Sequence, residues 1–289
     1  MMAFSSVRMV LSSLGLCLAL AGLVLNILGA QSLRSTKSHG RRQNFLLISI
    51  SAISSCMCLF FIPLWCFEGF VSHQAAEEKI FLILSGLYMA YVTNTIGFTV
   101  DRWFSIAMPL KHRAVMTVSM VKIFIVSCLL TSLLSRIPFL LLSSQHLTSM
   151  LYFDVAVDSV SLIVQPITYV YILLKWKSTS RQQRRSAVAS SPSTVRSLSL
   201  RAREASRNLR LLKIALLVTF SCMVAFAGDA VYVALGMTTP LSNQSFMSPV
   251  GVLLWNLVPA LQPLIYIIIK PEIRALFKAR CCHCKNRQD

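Results

Sequence analysis

Apolar residues crowd into seven stretches of the chain, 9–33, 43–67, 80–100, 116–142, 150–174, 211–236 and 246–269, with short polar segments between them. A helix needs about 20 mostly apolar residues to cross the hydrocarbon core, and these runs have that length. Lipid offers no hydrogen-bond partner to backbone amides, so the runs predict helices. Strands of a closed barrel would instead show alternating segments of about ten residues. The pattern therefore predicts an all-α integral membrane protein, a seven-transmembrane helix bundle with a short amphipathic eighth helix. Its expected parts are a short outer N-terminus (1–8), the seven-helix domain (9–269) and an amphipathic helix with its tail (270–289). The first run follows Arg8 but is too long for a signal core and has no small-residue cleavage site, so it reads as an uncleaved helix.

Composition agrees with the pattern. Of 289 residues, 55% are hydrophobic and 13% charged, with a mean hydropathy of +0.67. A soluble domain carries about 25% charged residues, so a cytosolic enzyme and a disordered chain are both excluded. The net charge of +18 raises nucleic acid as a partner, and the location of the cations argues against it. With the N-terminus outside, 25 of the 28 Lys and Arg fall on the inner side, leaving only Arg8, Lys79 and Arg136 elsewhere. The inner side is then +21 and the remainder −3, which predicts N-terminus out and C-terminus in. The long Ser- and Arg-rich segment 175–210 is the third inner loop, its charge set against anionic lipid headgroups. No internal repeat suggests a transporter. No hydrolytic triad or metal-ligand cluster suggests an enzyme, and no cofactor or metal is expected.

Two motifs carry chemistry. The third run ends in DRWFSIAMPLKHRAVMT (101–117), and the seventh contains QPLIYIIIKPEIRALF (262–277). An Asp-Arg pair at a helix end is costly at membrane depth unless paired or wetted, which makes it a functional candidate. The planar guanidinium suits exchange between partners, while the bland alternative is an arginine that snorkels to headgroups. Pro263 removes a backbone hydrogen bond close to Tyr266; the alternative is a tolerated kink. Beyond it, Ile273, Leu276 and Phe277 alternate with Lys270, Arg274 and Lys278 at helical spacing, as in an interfacial helix. Cys281, Cys282 and Cys284 follow as palmitoylation candidates, with a zinc site using His283 as the alternative.

Both motifs resemble those of the rhodopsin-like (class A) G-protein-coupled receptors, whose third helix ends in Asp-Arg-Tyr and whose seventh carries Asn-Pro-x-x-Tyr. Asp101, Arg102, Ile106, Pro109, Leu110, Met116 and Thr117 stand at matching positions, with Trp103 in place of Tyr. Pro263 and Tyr266 match in the seventh run, with Gln262 in place of Asn, and Asn26 matches the first-helix Asn. The resemblance covers essentially the whole chain and implies a divergent member. Ser54 replaces the sodium-holding Asp of the second helix, with Tyr91 and Val258 at partner positions, so a sodium site looks dismantled. Cys-Trp-x-Pro of the sixth helix becomes Cys222-Met223-Val224-Ala225, and Glu77 stands where the outer disulfide's helix-three cysteine would be.

The resemblance implies a plasma-membrane receptor in which Asp101, Arg102, Trp103, Pro109, Leu110, Gln262, Pro263 and Tyr266 serve activation and coupling to a heterotrimeric G protein. Carried over by position, the ligand cavity is lined by Leu84, Ser85, Tyr88, Asp158, Met223, Phe226, Asp229, Trp255 and Asn256. Leu84 in place of Asp and Asn256 in place of Lys exclude the amine and retinal branches. A small molecule or short peptide fits the short outer segments. Asp154 and Asp158 share a helix face and can receive a cation with Asp229, or one of them pairs with Arg136. Asn243 is the outward-facing sequon. Ser186, Ser191 and Ser193, behind Arg184-Arg185, are phosphorylation candidates that would present acceptors to an arrestin-like partner. A second reading is a receptor-shaped protein that does not signal and serves as a partner or trafficking subunit.

Overall fold

The computed structural model describes residues 2–35, 41–67, 74–138, 163–175 and 249–269, together with positions 154, 156–157, 159–160, 178, 213, 216–217, 220, 223 and 274–275. Among the described residues the chain forms α1 (Met2–Ser35), α2 (Arg41–Cys66), α3 (Gln74–Ala107), α4 (Pro109–Val115), α5 (Val118–Leu134) and α6 (Pro249–Ile269), and the segment 163–175 is also helical. No strand occurs among the described residues. The windows Met9–Arg34, Phe45–Cys66 and Lys79–Ser105 of the first three are long and apolar enough to cross a membrane. Val118–Leu134, Ile163–Lys175 and Gly251–Ile265 are shorter apolar helices.

Two boundaries differ from the sequence pattern. The third helix runs past 80–100 at both ends, because the Gln-Ala-Ala-Glu-Glu-Lys stretch (74–79) consists of good helix formers and Asp101-Arg102 is satisfied where it lies. The helix of the fourth run, α5, is regular to Leu134. There the Ser135 N–H still donates to Thr131 O and the Arg136 N–H to Leu133 O in a tightened turn, and 139–142 lie outside the described residues. Its start is fixed by Thr117, whose hydroxyl accepts from the Met120 N–H at 3.2 Å. Pro63 in α2 and Pro259 and Pro263 in α6 lie inside helices, and the Pro259 carbonyl freed by Pro263 accepts from Asn26 on α1.

The bundle is apolar outside and buries a polar set beside its apolar core. Ser51, Ser54, Asn94, Thr95 and Thr99 are buried, whereas Ile123, Val126, Leu130, Ile163, Ile167 and Leu174 face outward. That apolar exterior suits helices solvated by lipid. Hydroxyls buried in the bundle bond their own helix, Thr95 donating to Tyr91 O and Thr99 to Thr95 O. Helix association in lipid rests on close packing rather than on expelled water, so small residues mark the tightest seams. Any Cβ at Gly15 would strike the Trp65 ring, and one at Gly22 would lie 3.1 Å from Ala260 Cα. These two glycines let α1 lie against α2 and α6. The core between α2, α3 and α6 is built from Phe61, Trp65, Tyr88, Tyr91, Phe98 and Val258.

Candidate functional site: the C-terminal end of the third helix

The helix α3 ends because the backbone leaves the helical region at Met108, with φ −138°, and Pro109 opens α4 at its first turn. Three residues into α4, the His112 N–H donates to Met108 O at 2.9 Å, and the imidazole is carried back toward α3. His112 Nε2 lies 2.8 Å from Asp101 Oδ1. The other carboxylate oxygen, Oδ2, accepts from Arg102 Nη2. Asp101 is therefore held on both oxygens, with its side chain 4% exposed. The Arg102 guanidinium carbon stands 5.5 Å from the Phe98 ring centroid, one turn back along α3.

Around this cluster the neighbouring helices close in. Thr99 Oγ1 and the Tyr169 hydroxyl are 2.9 Å apart, tying α3 to the segment 163–175. The Trp103 ring packs on Phe104 at 5.7 Å and on Tyr171 at 6.5 Å, so the residue in the tyrosine position bridges two helices by its rings. Pro109 and Leu110 open α4.

A second polar layer joins α1, α2 and α6. Pro263 has no N–H to offer the Pro259 carbonyl four residues before it, and Asn26 Nδ2 supplies the donor at 2.6 Å. Ser54 Oγ donates to Gln262 Oε1. Asn26, Ser54, Gln262 and Pro263 are thus brought together, and Tyr266 lies further along α6. Ser54 and Gln262 bond each other directly where a sodium site would need acids, and Tyr91 and Val258 are fully buried beside them.

The positions expected to line a ligand cavity divide three ways. Trp255 is sandwiched between Phe81, at 5.4 Å, and Tyr88, at 5.1 Å, while Leu84 and Ser85 are fully buried. Asn256 turns to α1 and donates to Gly15 O at 2.6 Å. Met223 is 42% exposed, and Leu216, Leu217 and Phe220 are exposed as well. Asp158, Phe226 and Asp229 lie outside the described residues, as do Asn243, Cys281, Cys282, Ser186, Ser191 and Ser193.

Arg136 forms its pair with Asp154, Nη2 to Oδ1 at 2.6 Å, both side chains buried. The arginine stem lies against Gly86, where a Cβ would stand 3.1 Å from Arg136 Cγ. Sequence reasoning missed His112 and Tyr169. Neither carries a spacing signal, because each acts across a chain break or between helices. No protein-family model matches the chain, and no curated protein matches it.

Proposed function

We propose that the chain is a divergent rhodopsin-like receptor, a seven-helix plasma-membrane protein with its N-terminus outside and its C-terminus in the cytoplasm. It senses an extracellular small molecule or short peptide and activates a heterotrimeric G protein at the C-terminal end of α3. The observation that carries this reading is the buried Asp101–Arg102 pair, closed by His112 and set on the Phe98 ring. A guanidinium whose partner is its own neighbour in sequence can let go without unfolding anything, and then offers up to five donors to backbone carbonyls of a docked protein. The Asn26–Pro259 bond supports the same reading, because it stands where Pro263 has removed the helix's own donor. A ligand drives such a change only by binding the two states unequally.

Nucleotide exchange on a panel of G-protein heterotrimers, with the chain in nanodiscs, tests the proposal. Basal or ligand-stimulated exchange that Arg102→Ala abolishes supports it. A folded chain that accelerates exchange on no heterotrimer, across a ligand screen, overturns it. The second reading, a non-signalling partner subunit, is favoured by the direct Ser54–Gln262 bond, which ties α2 to α6. It predicts that outcome together with changed surface delivery of a co-expressed receptor.

A further inference from the structure

We propose that His112 is a positioning residue whose protonation latches α4 onto α3, so that protons on its own side of the membrane control the presentation of the Asp101–Arg102 pair. Only the consequence for coupling rests on the receptor reading; the latch itself stands on geometry.

The seven residues of α4 are too few to hold a helix alone, so its docking depends on what it touches. Among its described side chains, His112 links it to the buried end of α3, with Nε2 at 2.8 Å from Asp101 Oδ1. The Asp101 carboxylate faces the imidazole with this oxygen, and Arg102 occupies the other. The Phe104 ring lies beside it, 6.5 Å between centroids. Of the other cations with described side chains, Lys111 on α4 is exposed and Lys122 on α5 sits over the Phe45 ring at 5.3 Å. The His112 side chain is 13% exposed, which leaves water a route to it.

The sign follows from the donor count. A protonated imidazole carries a hydrogen on both nitrogens and a positive charge, so it donates to Asp101 whichever way it turns. A neutral one donates from Nε2 in one tautomer only, without the charge. The carboxylate already strengthens the bond from a neutral ring, and a protonated ring adds the attraction of its own positive charge. Acid therefore favours the latched arrangement, and loss of the imidazole proton weakens it. Latched, α4 holds Asp101 on Arg102. Unlatched, Asp101 loses one of its two donors and the arginine is easier to withdraw.

Hydrogen–deuterium exchange of the wild-type chain in nanodiscs reads the latch directly, at about pH 6 and about pH 7.5 and corrected for the intrinsic pH dependence of exchange. Amides of 110–115 should be about fivefold better protected at the acid pH in wild type. In His112→Gln, which keeps a neutral donor but does not titrate, the pH difference should vanish. In His112→Arg, protection should stay high at both values. Equal protection of wild type at both pH values, or a pH difference that survives in His112→Gln, overturns the proposal. No G protein enters this measurement. Failure of the latch therefore leaves the receptor reading standing, and failure of nucleotide exchange leaves the latch standing.

Discussion

Among the described residues, two buried guanidinium–carboxylate pairs stand out, both sheltered from solvent and built for opposite purposes. Arg102 and Asp101 are neighbours in sequence, so their bond says nothing about how helices pack. Arg136 and Asp154 are 18 residues apart and their bond joins the end of α5 to a separate helical position. The inner contacts also differ. Arg102 has an aromatic ring beneath it, and its carboxylate has a second donor in His112. Arg136 lays its stem against Gly86 on α3, where a Cβ would stand 3.1 Å from its Cγ. Burial is shared, so burial is not what separates them. A pair between neighbours can exchange partners cheaply, while a pair between segments fixes a tertiary position and is strongly missed when half of it is removed.

The largest effect should come from breaking the distant pair. Asp154→Asn leaves Arg136 charged and alone at depth, a loss of about 3–5 kcal/mol. Thermal unfolding in detergent and surface expression should both fall sharply, and a further Arg136→Gln should restore part of each. A double mutant no better than the worse single mutant would count against a structural pair. Next in size is Gly86→Ala, which pushes on the Arg136 stem and should cost about 2 kcal/mol. The same scan would show no shift if the arginine has another path.

Asp101→Asn should cost less, about 1.5 kcal/mol, because Arg102 keeps the Phe98 face and the asparagine can still accept from a donor. A loss matching that of Asp154→Asn would erase the distinction between the pairs. Smallest is Phe98→Leu, at about 1 kcal/mol in the same unfolding measurement, from lost ring contact with the guanidinium and a small change in packing.

The distinction was only partly legible in the chain. The apolar runs located α1, α2 and α3 because length and hydropathy alone decide whether a segment can cross lipid. Pairing of Arg136 with an aspartate was legible too, since a lone charge at that depth is costly; that the partner is Asp154 depended on which turn faces α5. Asn26 and Gln262, read from separate motifs, do meet in one layer around Ser54 and Pro263. The role of His112 was hidden, because it depends on the backbone break at Met108 that swings α4 back under α3. Asn256 was equally opaque, its amide being drawn to the carbonyl of Gly15 on another helix.

The most direct measurement compares the two pairs in the same cells, scoring surface expression and G-protein nucleotide exchange for Arg102→Ala and for the Arg136→Gln/Asp154→Asn double mutant. Arg102→Ala should reach the surface at close to the wild-type level and lose exchange, while the double mutant should lose expression and keep exchange per surface molecule. Wild-type exchange from Arg102→Ala at equal expression would contradict the assignment of the Asp101–Arg102 end as the coupling face.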